Sequence, residues 1–160
     1  LGGELLKLAG LAKTAQAGAG AMAARIADGS GFELFCRMAR AQGGNEALVR
    51  DPDLLPKAKL SRTLTAAKSG VVARLDARKV GSAAVLLGAG RAFKDQEIDY
   101  GAGLELLKKV GDRVEKGEPV AVLHAASSAR LDLGEREYRC ALVVSVRAAR
   151  PQSVVLETIR

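Results

Sequence analysis

Apolar and polar positions change their period about one third of the way along the chain. Up to residue 50 the spacing is helical. Leu1, Leu5, Leu8, Leu11 and Ala12 recur at intervals of three and four, which predicts a helix over residues 1–13. Residues 15–27 read as a second, alanine-rich helix carrying Met22 and Ile26. Gly18 and Gly20 weaken that helix in isolation, but small residues admit a neighbour at close range. In SGFELFCRMARAQGG, Ser30 and Glu33 have the spacing of a capping box. Phe32, Phe35, Cys36 and Ala39 then share one face, Arg37 and Arg40 sit where a cation suits the helix dipole, and Gly43 and Gly44 supply a left-handed stop.

RDPDLLPKAK follows, and each proline pushes the residue before it toward extended backbone. A domain boundary is expected there, dividing the chain into residues 1–57 and 58–160. Past it LSRTLTA alternates, and GVVARLDA is a short β-type run after Gly70. DARKVGSAAVLLGAGR predicts a helix with Asp76 as N-cap, Val80, Ala83, Ala84 and Leu87 on one face, and Gly88 and Gly90 at its end. EIDYGAGLELLKKV reads as extended segments around Gly101 and Gly103, and residues 120–124 as a strand. SSARLDLGEREYRCA fits a short helix or a loop. CALVVSV and SVVLETIR read as closing strands, with Pro151 between them. Together these elements predict an α+β fold: a helical segment, then a mixed or antiparallel β domain with an inserted helix, sandwich-like in the manner of a barrel-sandwich hybrid.

Composition narrows the core. The chain has 160 residues, 48% of them apolar, with three Phe, two Tyr and no Trp, so Leu, Val and Ala must fill the interior. A net charge of +7 permits binding to phosphate or polyanions, but the basic residues are scattered and aromatic stacking platforms are few, which favours a solvated surface over a nucleic-acid patch. Cys36 and Cys140 lie far apart in no metal-ligand spacing, and both are expected as buried reduced thiols. No apolar run approaches the ~20 residues of a membrane span. No secretory signal pattern is present, so the cytoplasm is the expected compartment. The helical stripe is already under way at Leu1, as in a piece of a longer protein.

Candidate chemistry is sparse. Gly88-Ala89-Gly90-Arg91 has two glycines of a dinucleotide fingerprint, but they close a helix instead of opening one, and the third glycine is missing. His124 is the only histidine; no G-x-S-x-G nucleophile accompanies it, and a partly buried strand histidine is the preferred reading. Asp95, Glu97, Asp99, Asp112, Glu115 and Glu118 could pair for acid chemistry. They sit among Lys94, Lys108, Lys109, Arg113 and Lys116, where mutual neutralisation on a turn surface is expected.

LKKVGDRVEKGEPVAVLHA, residues 107–125, is similar to the strand-reversing phrase of biotinyl and lipoyl carrier domains. Their acceptor lysine would be due in HAASSARLD, which has none, and the only methionines are Met22 and Met38, so the phrase is expected to be structural, with Val110, Val114 and Val120 facing inward. The order DPDLLPKAK, SGVVARLDARKVGSAAVLLGAGR and DQEIDYGAGLELLKKVGDRVEKGEPVAVLHA resembles the C-terminal part of thymidine and pyrimidine-nucleoside phosphorylases; LGGELLKLAG and DGSGFELFCRMARAQGG are similar to the helices before it. The alanine- and arginine-rich wording is nearer to the animal enzymes of that family than to compact bacterial forms.

The resemblance implies that residues 1–57 end the large phosphorylase domain and residues 58–160 form the C-terminal domain. It implies a homodimeric enzyme converting thymidine and phosphate to thymine and 2-deoxyribose 1-phosphate. The family's K-x-S-T-G-G phosphate motif does not occur here, nor does its pyrimidine-contacting Arg, Ser and Lys stretch. No catalytic, cofactor-binding or metal residue is therefore assigned to this chain, and no cofactor. Its expected partners are the rest of the phosphorylase polypeptide and, in the whole enzyme, a pyrimidine nucleoside and phosphate, with neither nucleic acid nor membrane. The alternatives are a non-catalytic basic binding module, carried by Arg74, Arg78, Arg91, Arg130, Arg136 and Arg147, and a carrier-like domain without its acceptor lysine.

Overall fold

The computed structural model describes residues 1–146 and Glu157. Among them, Leu1–Leu55 make one compact unit and residues 56–146 another.

The first unit is helical: α1 (Gly2–Leu8), α2 (Ala15–Ala27), α3 (Ser30–Ala41) and α4 (Glu46–Arg50). α1 stops at Leu8, short of the predicted residue 13, because Gly10 adopts a left-handed φ of 73°. Gly3 and Gly18 are buried where α1 meets α2, and a methyl built on Gly3 would fall 2.2 Å from the Ala15 carbonyl oxygen. The small residues thus serve the close approach expected of them. Thr14 caps α2 by accepting a hydrogen bond from the Ala17 N–H at 3.1 Å. The capping box predicted for α3 does not form. Gly29, at φ 77°, swings the chain straight from α2 into α3, so Ser30 is the first helical residue instead of the cap. Asp28 accepts from the Ser30 N–H at 2.9 Å, and Glu33 is drawn to Arg50, which donates to both its oxygens at 2.9 and 2.8 Å. Arg50 also pairs with Glu46, as does Arg40, latching α4 to α3. The stop at Gly43 forms as predicted, with φ 80° and the Gly44 N–H donating to the Ala39 carbonyl at 2.8 Å.

A 3-10 turn at Pro52–Leu54 leads to the second unit. It contains β1 (Leu60–Thr65), β2 (Gly70–Leu75), α5 (Ala77–Ala84), β3 (Gly103–Leu106), β4 (Arg113–Val114), β5 (Pro119–Ala125), α6 (Ser128–Ala141) and β6 (Leu142–Ser145). The strands form two antiparallel three-stranded sheets, ordered β1-β5-β3 and β4-β2-β6. Leu64, Val72, Val114, Val120 and Leu123 fill the space they enclose, joined by Leu87, Leu131 and Tyr138 from the helices. This is the expected α+β, sandwich-like class.

Three elements depart from or sharpen the expectation. α5 begins at the predicted cap, where Asp76 accepts from the Lys79 N–H at 3.1 Å, but it widens into a π-helical turn over Val85–Ala89 that helical periodicity does not signal. Only Gly103–Leu106 of the EIDYGAGLELL stretch is a strand. Before it, the Asp99 carboxylate accepts from the Gly101 N–H at 3.0 Å and the Asp99 carbonyl accepts from Ala102 at 3.1 Å, which curls the chain into a turn. SSARLDLGEREYRCA is a full helix, its N-terminus capped by Ser127. The predicted strand SVVLETIR and the break at Pro151 lie outside the described residues, apart from Glu157.

Candidate functional site

The glycine-bracketed phrase folds as two copies of one device. Residues 109–112 form a turn in which the Asp112 N–H donates to the Lys109 carbonyl at 3.0 Å, and the Asp112 carboxylate accepts from the Lys109 N–H at 2.7 Å. Residues 115–118 repeat it: Glu118 N–H to the Glu115 carbonyl at 3.0 Å, and Glu115 N–H to the Glu118 carboxylate at 2.8 Å. The third residue of each turn is a glycine at φ 97° (Gly111) or 88° (Gly117), the left-handed backbone that such a turn demands. Each turn then clasps the stretch that runs from the end of β1 into β2. Gly111 donates to the Val72 carbonyl while Val72 donates to that of Asp112, both at 2.9 Å. Gly117 donates to the Ala66 carbonyl at 2.8 Å while Ala66 donates to that of Glu118 at 2.9 Å. Between the clasps Val114 is buried, Val110 packs on the core, and Val120 begins the next buried run, all as predicted.

Three of the six carboxylates singled out above are engaged in turns. Asp112 and Glu118 cap their own turns, and Lys108 pairs with Glu118 at 2.6 Å. Glu118 is held below the usual glutamate range, first by the Lys108 ammonium and then by the Glu115 N–H. Asp99 is likewise occupied in its turn. Among the described residues no group of three or more His, Cys, Asp or Glu side chains could hold a metal ion.

His124 is a half-buried strand residue, opposite Gly103 of β3 and 3.0 Å from Glu105 through Nε2. Gly88 to Arg91 terminate a helix, as read: Gly88 has φ 118° and its carbonyl accepts from the Asp99 N–H at 3.0 Å, while Arg91 Nε donates to the Gln96 carbonyl at 3.1 Å. Cys36 is buried and unpaired, as expected, but Cys140 is exposed, because the buried face of α6 runs through Leu131, Gly134, Tyr138 and Ala141 instead. Arg74 lies on β2, Arg78 on α5, Arg91 after the π turn, and Arg130 and Arg136 on α6; Arg147 lies outside the described residues.

Two features escaped the sequence reading. The Tyr138 hydroxyl, on the only fully buried aromatic, donates to the Val120 carbonyl at 3.3 Å, and burial pushes its ionisation up. The signal available was the i, i+3, i+7 spacing of Leu131, Gly134 and Tyr138. Arg62 of β1 reaches Asp132 and Glu135 of α6 at 2.8 and 2.9 Å, and Glu135 also takes Arg139 at 2.7 Å. Burial pushes the Glu135 carboxyl up, but the two arginines outweigh it and leave the group below its ordinary value. No local pattern announces this pairing.

An open groove of about 930 Å³ lies beside the second glycine turn, lined by residues that include Ser69, Arg113, Glu115, Lys116 and Glu118. Lys116 donates its backbone N–H there to Ser69 Oγ at 2.9 Å. The groove mixes both charge signs and holds no histidine. Among the described residues the buried side chains are apolar, apart from the Tyr138 hydroxyl.

Residues 71–145, from β2 to the end of β6, match the family described as pyrimidine nucleoside phosphorylase C-terminal domain. The pyrimidine-nucleoside phosphorylase of Bacillus subtilis (strain 168) is 42% identical over 125 residues, covering 78% of this chain and 29% of that protein. The pyrimidine-nucleoside phosphorylase of Staphylococcus aureus (strain USA300) is 36% identical over 125 residues, with the same shares covered. The chain thus spans less than a third of the length of these curated relatives. It belongs to the pyrimidine-nucleoside phosphorylase family, whose C-terminal domain it carries.

Proposed function

We propose that this chain is the C-terminal portion of a thymidine or pyrimidine-nucleoside phosphorylase, and that it scaffolds a cleft whose catalytic residues lie elsewhere in the polypeptide. In that enzyme phosphate attacks C1 of the sugar as the bond to the base breaks, giving the free base and (deoxy)ribose 1-phosphate. Catalysis of this kind rests on holding the anion and stabilising charge on the departing base. The observation that carries the reading is the match over residues 71–145, coupled to a sandwich filled by apolar side chains. A filled sandwich braced by glycine clasps and by the Arg62–Glu135 pair is suited to rigid support. Residues 1–57 act as the end of the large domain, and the working enzyme is a cytoplasmic homodimer.

The test is phosphorolysis. Purified chain in phosphate buffer releases no thymine from thymidine, whereas a chimera in which it replaces the matching part of the Bacillus subtilis relative does. Thymine release by the chain alone overturns the scaffold role, and a folded but inactive chimera overturns the assignment to this enzyme.

A further inference from the structure

The helix α1 is apolar on two sides. One side is spent on α2: Gly3 is buried there, a methyl on Gly2 would meet Met22 Cε at 3.0 Å, and one on Gly18 would meet the Leu6 Cβ at 3.1 Å. The other side carries Leu1, Leu5 and Leu8, which are 76%, 66% and 80% exposed. Their spacing of four and three puts them in one row, and none of the described residues covers it. α2 shares the condition, since its only polar side chains are Gln16 and Arg25, and its Ile26 is 80% exposed. Helices apolar all round belong in interiors, yet within Leu1–Leu55 only Gly3, Gly18 and Cys36 are buried. This unit has the surface of a core without the core.

We propose that the Leu1–Leu5–Leu8 row is the face on which the remainder of a phosphorylase polypeptide packs; this rests on the function proposed above and names the surface through which the scaffold is joined. Two observations select that occupant over a second copy of the chain. The matched relatives hold about seven tenths of their length beyond the part this chain covers. An isologous contact between two copies buries one patch on each, whereas the exposed apolar residues extend over both helices, from Leu1, Leu5 and Leu8 to Met22 and Ile26.

The test co-expresses the chain with the part of the Bacillus subtilis phosphorylase that the match does not cover, and measures co-purification and, on the purified pair, affinity. The wild-type chain is expected to co-purify in equal amount. The double substitution Leu5→Asp and Leu8→Asp, at positions that touch no core, weakens the pair by at least about a hundredfold, as two truncated anchors would. Tyr100→Asp, equally exposed in the second unit, leaves it unchanged. The proposal is overturned if the wild type does not co-purify, if the double variant binds as well, or if wild-type chain alone forms a dimer that the double variant abolishes. Binding that depends on Leu5 and Leu8, together with an inactive complex, keeps the interface and removes the phosphorylase assignment; activity that ignores them does the reverse.

Discussion

Gly134 presses on Leu87, and the sign of its substitution depends on that leucine. In an exposed helix Gly→Ala stabilises by about 1 kcal/mol, because alanine leaves the unfolded chain less freedom to lose. Gly134 is buried in the middle of α6, and an added methyl would stand 2.6 Å from both Cγ and Cδ2 of Leu87 and 3.3 Å from Cδ1. That is roughly 1 Å inside ordinary carbon contact. Leu87 cannot swing into solvent: it is fully buried and its backbone is fixed in the π turn. Overpacking of this kind costs about 1–3 kcal/mol. Gly134→Ala is therefore expected to destabilise the second unit by about 1 kcal/mol on balance, the clash outweighing the propensity gain.

In a Leu87→Ala background the outcome inverts. That change costs about 2–5 kcal/mol through lost burial and a residual cavity, and the cavity is where the new methyl goes. Gly134→Ala then regains its helix propensity and stabilises by about 1 kcal/mol, so the two positions couple by about 2 kcal/mol. Urea titration followed by tyrosine emission reads this out, since the chain has no Trp and Tyr138 is its buried tyrosine. If Gly134→Ala shifts the midpoint in the same direction in both backgrounds, the packing argument is wrong.

Tyr138→Phe removes a buried hydrogen bond but leaves no orphan, because the Val120 carbonyl still accepts from the Leu107 N–H at 3.1 Å; the expected loss is about 1 kcal/mol in a urea titration followed by far-ultraviolet circular dichroism. Burial raises the Tyr138 ionisation in the folded state, so its contribution is complete below the ordinary tyrosine value of about 10 and is lost as pH rises through the folded value; stability curves of wild type and Tyr138→Phe should converge in strong alkali. Gly117→Ala meets no atom within 4 Å but must hold φ 88°, so it should cost about 1–2 kcal/mol from backbone conformation alone, and Gly117→Asn less, by thermal melting. Gly18→Ala would drive a methyl to 2.6 Å from the Gly3 carbonyl oxygen, so hydrogen exchange in residues 2–8 should speed up while residues 60–65 and 119–125 keep their protection.

Legibility along the chain followed how local each determinant is. Strands β1, β2 and β5 could be read from alternation and bounding glycines, and α5 from its Asp76 cap, because those signals lie within a few residues of what they specify. The capping box failed at Ser30 although its spacing was right, since a left-handed Gly29 one residue earlier had already set the helix start. The π turn at Val85–Ala89 was invisible because the apolar periodicity runs on through it unchanged, although Gly88 within it leaves helical backbone at φ 118°. Cys140 was misjudged from its small neighbours, whereas the buried face of α6 is set by the Leu131–Tyr138 spacing. The Arg62–Asp132 and Arg62–Glu135 pairs cross 70 and 73 residues, a separation at which no pattern in one sequence identifies partners.

The glycine phrase shows why wording shared with carrier domains carries a fold but not a chemistry. Two reversals within ten residues, returning to Val72 and to Ala66, need a left-handed residue at the third position of each turn. They also need a short acceptor at the fourth, to hold the first N–H away from water. Gly111 with Asp112 and Gly117 with Glu118 meet both conditions, and the apolar residues between and after the turns face the core. The turns and the apolar residues of the phrase are thereby spent on closing the sandwich. A carrier adds its lysine on a separate hairpin tip; here the residues after β5 run directly into α6, whose Arg62 contacts and Tyr138 hydroxyl fasten it to β1 and β5. After β5 the chain thus continues as a helix bolted to the sheet, an arrangement that suits the support proposed above.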